Sequence, residues 1–426
     1  MSAINKGQEG EDIVNEIAYR SFLSTFCFPN PLDISKDYKE ICDLLILFHD
    51  LCIIISVKNY SFEGNYDRYF RKTTEKSIKQ ILGAERKLFR DSPHVLLKHP
   101  DRNEIIFDKS IYKKVYRIII NINQEIKFFQ TSIQRENKEF TVFDYQGWKD
   151  AIEILDTIPD FIQFLEKRAQ LFVKKPVIIF PREENDFDQN DKYFASIILK
   201  EIAQSSPVHI LLGTEKDLIA EYIIHGYEFP SRLKILNINC LFLKLDGRWD
   251  SLYKSGGLYI LKMSRQESYI IDNMVKEMVI NKSGGEFLSE MLYKMDRSER
   301  QSLAQMFLKY CDEQRNIFNQ SSEKIEFNRT ICKMGSYYII FMYFDDKTEK
   351  EKIEFFMKMS MRQANYLENF TLDNVGGIAI SHSKDIYYFG YYHAKFDKLS
   401  SEEIADFEKD MAELGWKTKI RSDPEN

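Results

Sequence analysis

The stretch that most constrains this chain is Lys39–Tyr60, KEICDLLILFHDLCIIISVKNY, which reads as two apolar strands folded on a short turn. With His49 and Asp50 as the turn residues, Phe48 faces Leu51, and pairing back along the hairpin sets Asp43 opposite Ser56. Directly opposed side chains share a face, with Cβ atoms about 5 Å apart. Lys58 lies two residues beyond Ser56 and so shares that face too. An acid, a hydroxyl and an amine are therefore expected to meet at the open end of an otherwise greasy hairpin. Each costs free energy if left unpaired beside a core.

The chain has 426 residues, too many for one core, and a net charge of −6. A basic coat for nucleic acid is excluded at the level of the whole molecule, so local charge has to be read instead. Ten prolines and seventeen glycines are too few for long flexible linkers. The six cysteines form no CxxC pair, which points to reduced thiols and a cytoplasmic setting. The N-terminus is polar and acidic, unlike a signal peptide, and no apolar run is long enough to span a bilayer.

The spacing predicts a helix over Gln8–Phe26, with Glu11 near its start and aimed toward the sheet. A long amphipathic helix is expected over Tyr66–Arg90. It carries Arg68, Arg71, Lys72, Lys76 and Lys79 and a local charge of +5, a basic rim of the kind a phosphate backbone needs. Strands are expected over Glu104–Phe107, Tyr116–Asn123, Thr141–Phe143 and Pro176–Phe180. One helix is expected over Trp148–Gln170, and others over Asp191–Ala203 and Glu215–His225. The acidic loop Pro181–Asp191 lacks the glycine and glutamate of a calcium loop. The repeated Lys254-Ser-Gly-Gly and Lys282-Ser-Gly-Gly read as caps and turns, not as phosphate-binding loops.

Towards the C-terminus the order is a strand (Ser336–Phe344), a helix (Thr348–Leu367), two strands (Gly377–Ser381, Asp385–Tyr392) and a helix capped by Ser400 and Glu403. The expected organisation is an α/β domain over residues 1–173, with a mixed central sheet flanked by helices. A middle α/β region over 174–252 and an α+β domain over 253–426 follow.

Taken in order, Gly7-Gln-Glu-Gly-Glu11, Asp43-Leu-Leu-Ile-Leu-Phe, Ile55-Ser-Val-Lys58-Asn and Lys76-Ser-Ile-Lys-Gln80-Ile-Leu-Gly-Ala-Glu85-Arg resemble the motifs of PD-(D/E)xK, or restriction-endonuclease-like, nucleases. The nearest likeness is to the nuclease-related domain of bacterial proteins, where a GxxGE helix precedes the aspartate strand. The resemblance spans about residues 7–90. It implies hydrolysis of phosphodiesters, DNA favoured, with Mg²⁺ or Mn²⁺ held by hard oxygen ligands. It makes Asp43 the central ligand, Glu11 a ligand or positioner, and the Val57 carbonyl a further ligand. Lys58 would stabilise developing charge, and Gln80 would orient Lys58 or substrate. By architecture alone it also suggests bacterial antiviral defence, with the C-terminal domain binding a protein partner or a second copy.

The chain departs from the pattern at Ser56, where the family carries Glu, Asp or Gln. A hydroxyl is neutral and a poorer ligand. A carboxylate from Glu63, Glu75 or Glu85 is one expected repair; a catalytically silent fold that binds nucleic acid or a partner is the alternative.

Overall fold

The computed structural model describes residues 6–34, 38–63, 65–91, 95–99, 102–122, 129–172, 177–180, 209–234, 241–281, 285–320, 327–335, 337–345, 347–368, 372, 374–382, 389–395 and 400–416. The expected loop Pro181–Asp191, the helix Asp191–Ala203, Lys282–Gly284 and the first half of the strand Asp385–Tyr392 lie outside these residues. The chain forms two compact units, Met1–Met263 and Ser264–Asn426.

The hairpin forms as its pattern demands. β4 (Leu44–Phe48) and β5 (Leu51–Lys58) pair antiparallel with Phe48 opposite Leu51, and His49 turns the chain with a left-handed φ of 52°. These strands lie inside a six-stranded mixed sheet. Its edge beside β4 is β1 (Cys27–Pro29). On the other side of β5 come β8 (Lys114–Asn121), β11 (Lys138–Asp144) and β10 (Ser132–Arg135). β8 runs parallel to β5, and β11 parallel to β8. A strand flanked on both sides and covered on both faces must be apolar throughout, which accounts for the unbroken run in β5.

Two layers of helix sandwich this sheet. α3 (Lys76–Phe89) sets Ile78, Ile81, Ala84 and Leu88 on Leu45, Leu47, Cys52, Ile54 and Ile119. The opposite face receives α1 (Lys6–Tyr19), α4 (Tyr145–Ile154) and α5 (Ile158–Phe172). Strand alternation thus gives Cys52, Ile54, Ser56 and Lys58 to the α3 side. Two smaller sheets belong to the same unit among the described residues. One is antiparallel, in the order β3 (Lys39–Glu40), β2 (Leu32–Asp33), β6 (Val95–His99), β7 (Arg102–Ile106). The other sets β12 (Val177–Phe180), β13 (His209–Leu212) and β14 (Leu241–Lys244) parallel, with β9 (Phe129–Gln130) antiparallel at its edge. A fully buried ion pair joins Arg168 of α5 to Glu215, the first residue of the helix Glu215–Ile224.

Three expected helices are revised. The first ends at Tyr19 because the Ser21 hydroxyl bonds the Ala18 carbonyl and accepts from the Leu23 amide, a local turn that competes with further helix. The second is interrupted: α2 (Tyr66–Phe70) is α-helical, Arg71–Glu75 makes one turn of π-helix, and α3 comes next. The third divides into α4 and α5, because Thr157 accepts from the Asp160 amide and Pro159 lies in the first turn of a new helix.

The second unit carries a four-stranded sheet in the order β15 (Phe327–Met334), β16 (Tyr337–Phe344), β17 (Asn374–Ser381), β18 (Phe389–Lys395). β15 is a strand that sequence reasoning missed. In central β17, a Cβ on Gly376 would collide with Leu288, and one on Gly377 with Met357. These two glycines let a helix settle closely on each face. No described helix is long and apolar enough to cross a membrane.

Candidate active site

At the end of β4 nearest Asp43 the ladder stops, and the Asp43 side chain takes over from the backbone. Its Oδ2 accepts the Val57 amide at 2.5 Å. The same oxygen lies 3.2 Å from Ser56 Oγ and 3.5 Å from Lys58 Nζ. The ammonium of Lys58 donates to the Val57 carbonyl at 2.7 Å and to Ser56 Oγ at 3.0 Å. Its three protons are thus matched by three oxygens. Asp43, Ser56 and Lys58 converge as the hairpin register requires, and all three are buried.

Ser56 is the hub of this cluster. Besides Asp43 and Lys58, its hydroxyl meets Ser77 Oγ at 3.2 Å and Gln80 Oε1 at 3.3 Å. Ser77 and Gln80 come from the first turns of α3, immediately after the π-helical turn. Such a turn shifts the phase of the helix beyond it. Gln80 therefore reaches the site from the helix in which the sequence places it.

Two further carboxylates stand close. The Glu11 carboxyl is pushed up to about 7, by burial first and then by the charges of Asp43 and Glu40, with Lys58 pulling the other way. Glu40 is also raised, by burial and then by Asp43. Glu11 is delivered by α1, whose Gly10 sits against Asn59 and Ile122 at the ends of β5 and β8. Glu40 is delivered by β3, three residues ahead of Asp43. Sequence reasoning missed Glu40, because a two-residue exposed strand reading Lys-Glu carries no periodic signal.

The carboxylates expected to repair the site are engaged elsewhere. Glu85 grips Arg117 through two 2.7 Å bonds and Lys138 at 2.9 Å. Glu63 pairs with Arg68 and Lys72 at the surface, and Glu75 with Arg135. Of the basic rim, Lys76 bonds the Tyr60 hydroxyl at 3.0 Å, and Lys72 and Lys76 both lie over the Tyr60 ring. The Tyr60 hydroxyl is held below its usual range, by the bond from Lys76 first; Lys58 and Lys72 act in the same direction. Lys58 and the rim thus share one field. Arg71 and Lys79 are exposed.

Among the described residues, no three His, Cys, Asp or Glu side chains stand ready around one point to hold a metal ion. In kind, the donors fit a hard cation: all are oxygens, and Glu11 and Glu40 resist ionising through burial first and the charge of Asp43 second. Compared with known proteins, the chain matches no family model, no curated protein and no solved structure.

Proposed function

We propose that the N-terminal unit is a divalent-cation-dependent phosphodiesterase acting on nucleic acid, with DNA the favoured substrate. One observation carries this reading. Asp43, Ser56 and Lys58 meet at the end of a central strand, with Glu11 and Glu40 close enough for Asp43 to raise both. Asp43, Glu11, Glu40 and the Val57 carbonyl would hold Mg²⁺ or Mn²⁺. The ion would polarise the phosphate and activate water.

The chain's own groups do the rest. Lys58 supplies a buried positive charge at the edge of the carboxylate cluster, where negative charge builds up on the phosphoryl oxygens. Ser56 and Gln80 fix the Lys58 side of the site through the hydroxyl hub. Lys72 and Lys76 at Tyr60, with exposed Arg71 and Lys79, attract the polyanion and set its path. Incubation of the full chain with DNA or RNA and Mg²⁺ or Mn²⁺ tests the reading. Metal-dependent cleavage lost in both Asp43→Asn and Lys58→Ala is the expected result.

A second reading has its own support in Ser56, which leaves the strand without the acid the family pattern carries. On this reading the fold binds nucleic acid without cutting it. Salt-sensitive binding without cleavage, weakened by neutralising Arg71 and Lys72, would select it.

A further inference from the structure

The oxygens that the nuclease reading offers to a metal ion already surround a cation, the ammonium of Lys58. Its nitrogen lies 2.7 Å from Val57 O, 3.0 Å from Ser56 Oγ and 3.5 Å from Asp43 Oδ2. An ion that takes Asp43 Oδ2 and the Val57 carbonyl competes with the ammonium for the same oxygens, and the repulsion between the two cations disfavours the lysine where it rests. Lys58 is only 9% exposed, and a buried ammonium stripped of its partners is strongly disfavoured. It needs another acceptor within its own reach.

One stands beside it. Asn121 is the register partner of Lys58 across the parallel β5–β8 ladder, and pairing continues past it through the bond from the Ile122 amide to the Lys58 carbonyl. Register partners on neighbouring strands share a face, so the Asn121 side chain lies on the Lys58 side of the sheet. Asn121 is 8% exposed, and its Oδ1 is a buried acceptor with no hydrogen-bond partner among the described residues. A buried carbonyl oxygen without a donor is rare and asks for a cause.

We infer that Lys58 is an internal latch on the cation site, and that Asn121 Oδ1 is the acceptor to which its ammonium moves when a divalent ion enters. The inference rests on the nuclease reading of the same site and adds its regulation. The resting protein is closed by its own lysine, so the oxygens of Asp43, Ser56 and Val57 keep a cationic partner without metal. Metal entry and lysine departure are then one exchange, and the metal affinity of the resting protein is lowered by the cost of moving Lys58.

The test is Mn²⁺ binding to the full chain, followed by electron paramagnetic resonance of the free ion, in a double-mutant cycle. Lys58→Met should bind Mn²⁺ at least tenfold more tightly than the natural protein. Asn121→Leu, which removes the landing acceptor, should weaken binding at least threefold. In the Lys58→Met background the same Asn121 change should have no effect, since nothing is left to land. Lys58→Gln serves as the neutral variant if Lys58→Met fails to fold by circular dichroism.

Simple loss of a nearby positive charge would also tighten binding, but it would leave the Asn121 effect equal in both backgrounds. That equality overturns the latch, as does unchanged or weaker binding on neutralising Lys58. Cleavage of DNA by the natural protein, run in parallel, decides the nuclease reading separately. Cleavage with an unlatched Mn²⁺ profile removes the latch alone and leaves the nuclease standing.

Discussion

Asp43 holds the backbone of the strand beside it: its Oδ2 accepts the Val57 amide at 2.5 Å, where the β4–β5 ladder has no further backbone partner to offer. One carboxylate thus ends a strand pair and anchors the candidate site, and two substitutions separate these roles. Asn keeps an oxygen for the amide; Ala keeps none and leaves buried Lys58 without its bonded carboxylate. Asp43→Ala should cost about 3–5 kcal/mol, read as a lowered urea midpoint. Asp43→Asn should stay folded with a smaller loss, yet cleave at least about 100-fold more slowly.

Ser56 has one proton to give and two lone pairs with which to accept, but it stands among four polar neighbours. Its geometry is that of an organiser. Ser56→Ala leaves those neighbours with one partner fewer in a buried place. A loss of about 1–3 kcal/mol in stability is expected. Cleavage should stay within about tenfold of the natural rate, since the carboxylates and Lys58 remain. Denaturant midpoints and initial rates on one preparation check both halves.

The basic rim makes a quantitative prediction about salt. Arg68 and Lys72 share Glu63, an exposed set of ion pairs that stabilises little and yields readily to phosphate. Arg71 and Lys79 are exposed cations of the same helical segment. Each phosphate left without its cation should flatten the slope of log affinity against log salt by about 0.7–0.9. Arg71→Ala with Lys79→Ala should therefore flatten it by roughly 1.4–1.8, measured by fluorescence anisotropy on labelled DNA. An unchanged slope would place the nucleic acid elsewhere.

Much of the site was legible because a hairpin with a buried face admits one register. Once His49 and Asp50 make the turn, Asp43, Ser56 and Lys58 follow by counting, and a slip of one residue would have set Asp43 on the face opposite Ser56 and Lys58. Gln80 was legible for a different reason, as part of a spaced motif on a helix. The π-helical turn at Arg71–Glu75 was not, because phase shifts inside a charged helix leave no residue signature. Glu40 was hidden for want of periodicity in a two-residue strand. The division of the helix after Trp148 could have been read: Thr157, Pro159 and Asp160 together spell a new helix start.

Glu85 predicts an acid-sensitive fold. Burial alone would raise its carboxyl. The bonds from Arg117 and Lys138 outweigh that and leave it below the ordinary carboxylate range. A group whose pKa falls on folding contributes stability above its unfolded value and loses it as pH drops through the folded one. The natural protein should lose urea resistance steeply from about pH 5 downward, and Glu85→Gln should flatten that slope. At pH 7 the same change should cost about 2–4 kcal/mol, because Arg117 keeps its charge in a mostly buried place.

Gly10 is the residue that lets α1 bring Glu11 close to Asp43. A Cβ on Gly10 would stand 2.9 Å from Asn59 Cβ and 3.5 Å from the Ile122 methyl. Asn59 Cβ is fixed to its backbone, so no rotamer change relieves the overlap and α1 must back away. Alanine favours a helix over glycine by about 1 kcal/mol, against an overpacking cost of about 1–3 kcal/mol. The two nearly cancel, and Gly10→Ala should shift the thermal midpoint by only a few degrees. Its effect on chemistry should be larger, because the displaced helix carries Glu11 with it. Misplacement by about 1 Å costs roughly 100-fold in rate where a group must be positioned. Gly83→Ala on α3 is the control: a Cβ there meets nothing within 4 Å, so it should raise stability by up to about 1 kcal/mol and leave cleavage alone. If Gly10→Ala cleaves at the natural rate, Glu11 plays no part in the reaction, and its raised carboxyl reflects burial beside Asp43 and nothing more.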